Sequence, residues 1–415
     1  MTSRREIPAG SVARPPRPDP AVLLYAARAL RDFGDGFVAV LLAVYLTELG
    51  FTPLVVGMVA SAALLGSSLM TLAIGVLARP DAQRNLLIAA SALMTMTGLA
   101  FALANDLAVL LLVAFVGTIN PSAGNASIFV PMEHALLAGS AEPARRTRMF
   151  AIYGLTGALA ASLGSLAAGT PEFLAAAGVS RLDSLRGMFV LYAILGIAGG
   201  ACYRLIPASS EPSPGRRTFA LGPSKGIVLR LAALFSIDAF AGGFAVQSLL
   251  VLWLLQKFDL SLALAAAFFF ASGLLAAVSY PVAVRIASRI GLLNTMVYTH
   301  IPSSLCLIGA AFVPDVRAAL ALLLARAALS QMDVPTRSSY VMAVVTPGER
   351  AAAASVTAVP RGLAAAASPA LAGALLAAGY SALPLVICGL LKIAYDLLLL
   401  STFRGVKPPE ETGRP

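Results

Sequence analysis

The stretch from Arg326 to Arg337 places charged side chains at the end of a long apolar run. At about 100° per residue of an α-helix, Arg326, Asp333 and Arg337 fall within an arc of roughly 40°, so they share one face. A charge near the centre of a bilayer costs on the order of 3 kcal/mol, so this face should point into a protein interior or a wet cavity. Such side chains can form ion pairs, exchange a proton at the carboxylate, or hold an anion at a guanidinium.

Four other apolar runs also contain carboxylates, and in the last of them Asp396 is spaced i,i+4 from Lys392, so we expect these two side chains to neutralise each other. Asp35 lies in the first run, Glu133 at the end of the fourth and Asp238 deep in the seventh. Asp238 has no charged partner within its own helix, and a carboxyl group midway through a membrane favours its neutral form. Proton coupling requires a carboxyl group that changes protonation, so Asp238 is the first candidate for coupling and Asp333 the second, with Asp35 a further candidate.

Two arginines near mid-depth, Arg326 and Arg361, cannot lose their charge. They either keep Asp238 and Asp333 ionised or bind an anionic group of a substrate, and the sequence leaves both possibilities open. Asp333 and Arg337 are spaced i,i+4, so they can also satisfy each other as a purely structural pair.

No constellation typical of an enzyme or of a metal site occurs in the sequence. There is no Walker loop, which argues against an ATP-driven pump, and the two histidines and three cysteines lack metal-ligand spacing. We therefore expect no catalytic residue, no metal and no cofactor.

The elements that must position these side chains follow from composition. The chain is 59% apolar and only 12% charged, with a mean hydropathy of +0.85, which is typical of a polytopic membrane protein. Runs near the ~20 residues that cross a hydrocarbon core define twelve predicted spans, numbered 1 to 12. They cover residues 28–49, 54–78, 86–104, 108–130, 149–169, 187–206, 227–254, 262–287, 292–312, 317–345, 350–376 and 383–403.

The distribution of positive charge predicts the topology. Most Lys and Arg residues lie at the termini and in the connections after even-numbered spans, and the connections after odd-numbered spans hold only Arg181, Arg186, Lys257 and Arg317. Both termini should therefore be cytoplasmic. Topology also explains the net charge of +10, so we expect no nucleic-acid partner.

The spans divide into two related sets. Residues 207–226 are rich in Pro and positive charge and are predicted to be a cytoplasmic linker between a six-helix bundle at 21–206 and another at 227–404. Residues 1–20 and 405–415 are predicted to be cytoplasmic tails, the first disordered. At an offset of 207, Phe33, Gly36, Phe37 and Phe51 recur as Phe240, Gly243, Phe244 and Phe258. At an offset of 204, Val130-Pro131 recurs as Val334-Pro335, which indicates parallel repeats.

Twelve spans, a basic linker after the sixth and a six-plus-six repeat together resemble the major facilitator superfamily. The resemblance implies an all-α integral membrane fold of two pseudo-symmetric six-helix bundles. It also implies that spans 1, 4, 7 and 10 line a central cavity, and each of these spans holds an ionisable residue. Span 5 contains Gly154, Gly157 and Gly164, which indicates close helix packing.

Two prolines at matched places suggest how the bundles move. Pro131 and Pro335 each remove a backbone hydrogen bond, so we expect hinges in spans 4 and 10. Glu133 and Arg337 each lie two residues beyond a proline and have opposite charges. This predicts a salt bridge between the bundles that closes a cytoplasmic gate.

These features predict a secondary transporter of the plasma membrane or bacterial inner membrane. It should move a small solute by alternating access, with proton-coupled efflux as the first expectation and a monomer as the working unit. The alternatives are a permease for uptake or exchange of an organic anion, held by Arg326 and Arg361, and a transport-inactive receptor or scaffold with the same fold.

Overall fold

The protein is described by a computed structural model that covers residues 19–77, 82–122, 127–140, 143–207 and 221–406. Within these ranges every regular element is helical. Most of both predicted tails and of the predicted linker at 207–226 lie outside the described residues. The helices begin slightly earlier than predicted at two places, because Pro20 is already in the first helix and Lys225 starts the seventh span.

Sixteen α-helices occur in the described ranges. They are α1 (Pro20–Glu48), α2 (Pro53–Leu77), α3 (Gln83–Leu103), α4 (Leu107–Val116), α5 (Phe129–Ser140), α6 (Pro143–Ala167), α7 (Thr170–Ala176), α8 (Arg181–Leu205), α9 (Lys225–Gly243), α10 (Gln247–Phe258), α11 (Leu262–Ile290), α12 (Leu292–Phe312), α13 (Val316–Ser330), α14 (Asp333–Val344), α15 (Arg350–Ala377) and α16 (Leu383–Phe403). A 3-10 turn at Pro347–Glu349 precedes α15.

The number of membrane crossings is consistent with twelve. Ten helical segments of the described chain are long and apolar enough to span a bilayer. The other two crossings are α1, which is long but carries four charged residues between positions 28 and 35, and span 4, whose two helices are each too short alone. The all-α membrane fold is thus confirmed.

Three of the spans are interrupted. Span 4 consists of α4 and α5, span 7 of α9 and α10, and span 10 of α13 and α14. Span 1 runs through as one helix. Interrupted backbone at membrane depth is tolerated where it is buried in protein or lines a cavity, so the breaks belong at the centre of the bundle.

The two predicted hinge prolines have a different local role from the one expected. Pro131 and Pro335 are each the third residue of a new helix, α5 and α14 respectively. A proline in the first turn removes no intrahelical hydrogen bond, because the N–H groups there have no partner in the helix. These prolines therefore mark where α5 and α14 start, and they do not bend a continuous helix. Their role as hinges stays a prediction.

Glycines bring α1 and α6 into close contact. A Cβ atom at Gly36 would overlap the backbone of Ala161, and one at Gly164 would overlap the backbone of Phe33. Gly154 of the same helix has nothing within 4 Å of that position. The close packing predicted for span 5 thus depends on particular glycines.

The hydrogen bonds described between the two sets of six spans lie near one end of the molecule. We call the end with the connections after odd-numbered spans the odd end, and the opposite one the even end. Among the described residues, four hydrogen bonds join the sets: Ala370 N to Ser61 Oγ at 3.0 Å, Ser248 N to the Pro121 carbonyl at 3.2 Å, Ala263 N to Glu172 Oε2 at 2.6 Å, and Gln247 Nε2 to Ser165 Oγ at 3.3 Å. All four lie in the portion of the spans nearer the odd end.

Candidate functional site

In the first six spans, a buried ion pair is built around Glu133. Its side chain is fully buried and lies 2.7 Å from Arg31 Nη1. The hydroxyls of Tyr153 and Tyr203 donate to its two oxygens, each at 2.5 Å. Arg31 also stacks over the ring of Phe129, 4.8 Å from its centroid. Every oxygen of this carboxylate therefore has a donor, and spans 1, 4, 5 and 6 meet at it.

Two further acids lie on span 1. Asp32 is held by Arg28 at 2.6 Å and by Arg31 at 3.2 Å. Asp35 is only 2% exposed, and the one hydrogen-bond partner described for its side chain is the hydroxyl of Tyr192, at 3.2 Å. The two carboxylates thus differ sharply: one is bound by two cations, and the other meets a neutral group.

In the last six spans, Asp238 is the centre of a second cluster. Lys392 Nζ lies 2.6 Å from one of its oxygens and Arg337 Nη1 lies 3.1 Å from the other. The same Arg337 nitrogen is 3.0 Å from Asp333. Asp238 therefore has cationic partners from spans 10 and 12. The sequence correctly shows no charged partner within its own helix, but it does not reveal these partners on other spans.

His300 extends this cluster. Its Nδ1 is 3.0 and 3.1 Å from the two oxygens of Asp396, and its Nε2 is 3.4 Å from Lys392 Nζ and 3.9 Å from Asp238 Oδ1. The sequence places Lys392 and Asp396 at i,i+4 on span 12, which favours a pair between them. That expectation is wrong, because each of the two side chains turns to a different partner.

The two clusters are related by the internal repeat with their charges exchanged. The offset of 207 relates Arg31 to Asp238, and the offset of 204 relates Glu133 to Arg337. Each half therefore contains a buried ion pair between its first and fourth span, Arg31 with Glu133 and Asp238 with Arg337. Both pairs lie nearer the even end, where the described residues form no hydrogen bond between the halves.

The predicted salt bridge between Glu133 and Arg337 is absent in this conformation. Each of the two is bonded within its own half, to Arg31 and to Asp238 and Asp333 respectively. In the described residues no ion pair crosses between the halves. A gate role for Glu133 and Arg337 stays a prediction about another conformation.

Two predicted site residues, Arg326 and Arg361, have guanidinium groups without a hydrogen bond or ion pair to any described residue. Both are partly buried. The Nε atom of Arg361 is completely buried and has no partner, although Asp238 and Asp333 are close enough to interact electrostatically. Arg326 has no carboxylate among the groups that influence it. Asp238 and Asp333 are thus bound by Lys392 and Arg337 instead.

Several members of the clusters were not singled out from the sequence. In the sequence Arg31 is one more positive charge near the start of span 1, Lys392 is spaced i,i+4 from Asp396, and Tyr153, Tyr192 and Tyr203 are uncharged. The internal repeat could have identified Arg31, because the offset of 207 makes its position equivalent to that of Asp238. The tyrosines could not be identified from the sequence, because a tyrosine in an apolar span is unremarkable until the carboxylate that its hydroxyl bonds is known.

A cavity of about 510 Å³ opens at the odd end, away from both clusters. It lies between the ends of α1, α7 and α10, and Glu48, Glu172, Arg181 and Asp259 are among its lining residues. Arg181 Nε is 3.5 Å from Glu48, so opposite charges on its wall are partly paired. It contains none of the predicted site residues.

Apolar spans interrupted at membrane depth, together with ionic clusters inside both halves, define a multi-pass membrane transporter. The family model described as Major Facilitator Superfamily matches residues 24–332. The chain belongs to this superfamily, so it is a membrane transporter that binds small-molecule substrates and is not an enzyme.

Its relatives include one curated protein and several solved structures. An uncharacterized membrane protein of Saccharomyces cerevisiae, YJR124C, is 24% identical over 92% of this chain and 94% of its own length. The nucleoside transporter NupG has a TM-score of 0.72 at 12% identity, with 93% of this chain and 99% of that chain covered. A bacterial homologue of the human lysosomal transporter Spinster, inward-facing and unoccupied, has a TM-score of 0.70 at 14% identity and covers 95% and 98%. At these identities the structures establish the fold alone.

Proposed function

We propose that the chain moves a small solute by alternating access, coupled to protons and in the direction of efflux. The observation that carries alternating access is the uneven contact between the halves. All four of their described hydrogen bonds lie toward the odd end, and the ion pairs of each half lie toward the even end. Two bundles whose described hydrogen bonds to each other all lie toward one end can exchange which end is closed.

Proton coupling is supported most directly by Asp35. The Tyr192 hydroxyl has one hydrogen and faces two oxygens that compete for it, Asp35 Oδ1 at 3.2 Å and the Thr118 carbonyl at 3.1 Å. The Thr118 hydroxyl, 3.2 Å away, can either donate to the Tyr192 oxygen or accept from it. A protonated Asp35 would donate to the tyrosine oxygen and leave its hydrogen for the Thr118 carbonyl. The neutral carboxyl group therefore satisfies the hydrogen bonds better than the carboxylate does.

Asp238 and Asp333 have a different part in this proposal. Both are close to cations, so in this conformation they serve as ionised partners of Lys392 and Arg337. Their contribution to coupling would be an exchange of partners when a proton arrives. This ranks Asp35 ahead of Asp238 as the residue that carries the transported proton.

Proteoliposomes with an imposed pH gradient test the proposal. A panel of labelled cationic, anionic and neutral solutes is offered, and the wild type should accumulate at least one against its gradient when the pH difference is applied. Asp35→Asn should lose this accumulation and keep exchange of labelled for unlabelled solute, which needs no net proton movement. Accumulation unchanged in Asp35→Asn contradicts the coupling site. No flux of any solute favours the receptor or scaffold.

A second candidate, transport of an organic anion, is favoured by the unpaired arginines. A buried guanidinium nitrogen without a partner is costly, and an anionic group of a solute would supply the missing acceptor. In a thermal-shift screen, anionic solutes should then stabilise the wild type. Arg361→Gln and Arg326→Gln should abolish the shift, whereas Arg317→Gln, at the odd end, should retain it. Equal shifts in all variants would exclude this role.

The placement in the membrane is also part of the proposal. The excess of positive charge on even-numbered connections supports cytoplasmic termini and insertion in a plasma or bacterial inner membrane as a monomer, with bundles at 21–206 and 227–404. Single cysteines introduced at Lys225 and Asp106, which are both exposed, in a cysteine-free background test the orientation. In intact cells an impermeant maleimide should label only the cysteine at position 106.

A further inference from the structure

We propose that His300 and Asp396 form a proton-binding dyad that controls the ion pair between Lys392 and Asp238. The proposal rests on the proposed proton coupling and assigns it a site in the second half that is separate from Asp35. The ligand is a proton, which is received at His300 Nε2.

The geometry leaves one atom of the dyad free to accept a proton. His300 is 3% exposed and Asp396 is fully buried. Nδ1 faces both oxygens of Asp396, at 3.0 and 3.1 Å, so this nitrogen carries a hydrogen that it donates to the carboxylate. Nε2 then holds a lone pair, and it points toward Lys392 and Asp238. The only described hydrogen-bond partner of the Asp396 carboxylate is His300, so a charge on the imidazole would compensate a buried anion.

Two arrangements of the same groups are therefore possible. With a neutral imidazole, the Lys392 ammonium can donate to Nε2 at 3.4 Å as well as to Asp238 at 2.6 Å. When a proton from water binds to Nε2, that nitrogen becomes a donor and the Lys392 N–H bond to it is lost. Its nearest acceptor is then Asp238 Oδ1, at 3.9 Å. The positive imidazole and the ammonium compete for the same carboxylate, and Lys392 is repelled.

The charges on the surrounding spans balance one another before the proton binds, so they do not compensate the added charge. His300 faces Asp238 of span 7 and Lys392 of span 12, and the uncharged Tyr395 packs its ring against it. The next charges around Asp238 are Arg337 and Asp333 of span 10 and Arg361 of span 11. Counted with Asp396, three carboxylates balance three cations while His300 is neutral. The added proton is thus an unbalanced charge in a buried cluster, and it can be accommodated by moving Lys392 away.

Displacement of Lys392 would act on an interrupted span. Its ammonium bonds Asp238 in α9 and lies 3.9 Å from the position that a Cβ atom on Gly242 would occupy. Span 7 breaks after Gly243, where α9 ends and α10 begins at Gln247. The Lys392–Asp238 bond therefore holds span 12 to the segment just before this break. Its exchange for a His300–Asp238 bond would release α9 from span 12.

The chain offers a direct test, because His134 and His300 are its two histidines. The full chain, labelled with ¹⁵N-histidine and held in nanodiscs, gives two imidazole signals that His134→Gln assigns. At about pH 8 the His300 signals should show hydrogen on Nδ1 alone, and at about pH 5 on both nitrogens. In Asp396→Asn the doubly protonated form should be lost at about pH 5. His134, which contacts the rings of Phe150 and Tyr153, should be unaffected by that substitution.

The proposal is wrong if His300 keeps a single hydrogen throughout this pH range. It is also wrong if His300 gains its second hydrogen in the same way in Asp396→Asn as in the wild type. The transport arm uses His300→Gln in proteoliposomes, where accumulation driven by a pH gradient should fall at least tenfold while solute exchange persists. If the wild type shows no pH-driven flux, the proposed coupling fails, and the NMR titration still decides whether the dyad binds a proton.

Discussion

Glu133 and Asp238 are both buried carboxylates, but their bonding differs in a way that affects function. Glu133 is saturated by one arginine and two tyrosine hydroxyls, so its arrangement has no close alternative. Asp238 shares its cations: Arg337 also touches Asp333, and Lys392 also touches His300. A carboxylate whose two oxygens both have donors stabilises one arrangement, whereas cations shared between several groups can change partners.

Neutralising Glu133 should destabilise the first half strongly. Glu133→Gln leaves Arg31 as a charge 3% exposed whose remaining acid, Asp32, is shared with Arg28. Removal of one partner from a buried pair costs on the order of 3–5 kcal/mol, so the thermal unfolding midpoint should fall markedly. The matched control is the double variant Glu133→Gln with Arg31→Gln, which leaves no unpaired charge. A midpoint for the double variant no higher than that of Glu133→Gln alone would contradict this account.

The charged residues of the candidate site could be identified from the sequence. Asp35, Asp238, Asp333, Glu133 and Arg337 were evident because a charge in an apolar run is costly and needs a reason. Their partners could not be assigned, because Lys392 and Asp238 are 154 positions apart and meet only through the packing of spans 7 and 12. Local spacing instead favoured the wrong pair of Lys392 with Asp396.

At the scale of the helical element, the contact of α1 with α6 depends on glycine at particular positions. Gly164→Ala would push a methyl group into the backbone of Phe33, whereas Gly154→Ala meets open space. Overpacking costs about 1–3 kcal/mol, so Gly164→Ala should lower the unfolding midpoint. Gly154→Ala, on the same helix, should leave the midpoint unchanged or raise it slightly, because alanine favours helix. Equal effects of the two substitutions would show that the contact is not tight.

A second element-scale contact holds the start of span 7 to the loop between spans 10 and 11. Glu349 accepts hydrogen bonds from the backbone N–H of Gly222, from the N–H of Ser224 at 3.3 Å and from the hydroxyl of Thr346 at 2.6 Å. The bonds from Ser224 and Thr346 lower the pKa of Glu349 to about 2. The residues that directly precede α9 are thereby anchored to the 3-10 turn before α15.

This anchor should depend on pH in a defined direction. Because the pKa of Glu349 is lowered on folding, its stabilising contribution is present above the usual carboxyl value near 4.5 and is lost as the pH falls toward about 2. Glu349→Gln should speed amide hydrogen exchange at Gly222 and Ser224 at neutral pH, and should remove the acid-dependent change. Asp315→Asn, at a helix start on the odd end, should not alter exchange at these two amides. Unchanged protection in Glu349→Gln would exclude the anchor.

The position of the helix breaks was predictable only in part. The prolines at 131 and 335 indicated where spans 4 and 10 depart from a continuous helix, but the break falls before each proline. Span 7 also breaks, between Gly243 and Gln247, where the sequence contains no proline. A helix that ends for reasons of tertiary packing leaves no local signal of this kind.

For the molecule as a whole, the contact between its halves near the odd end should set the preferred conformation. Gly57 packs against the backbone of Pro369, and a Cβ atom there would overlap it. Gly57→Val should force the halves apart at this place and shift the population toward closure of the even end. Spin labels on α5 and α14 should then move closer together in distance measurements. Gly75→Val, on the same helix with nothing within 4 Å, is the matched control. Unaltered distances in Gly57→Val would contradict this role.

The global architecture was the part that the sequence predicted best. Twelve spans and a six-plus-six repeat follow from hydropathy and from a constant residue offset, which are both properties of long segments. The uneven distribution of hydrogen bonds between the halves could not be predicted in this way, because it depends on how the two folded bundles pack against each other.

The charge balance within each of the two clusters has an electrical consequence. Inside each half the charges of the clusters sum to zero when Asp35 carries its proton and His300 is neutral, so a rocking motion moves no net cluster charge through the membrane. A membrane potential acts on charge with about 2.3 kcal/mol per elementary charge per 100 mV. The voltage across the bilayer would therefore act on the transported proton, on a charged solute and on the guanidinium of Arg326, which belongs to neither cluster, while the two clusters would be nearly indifferent to it.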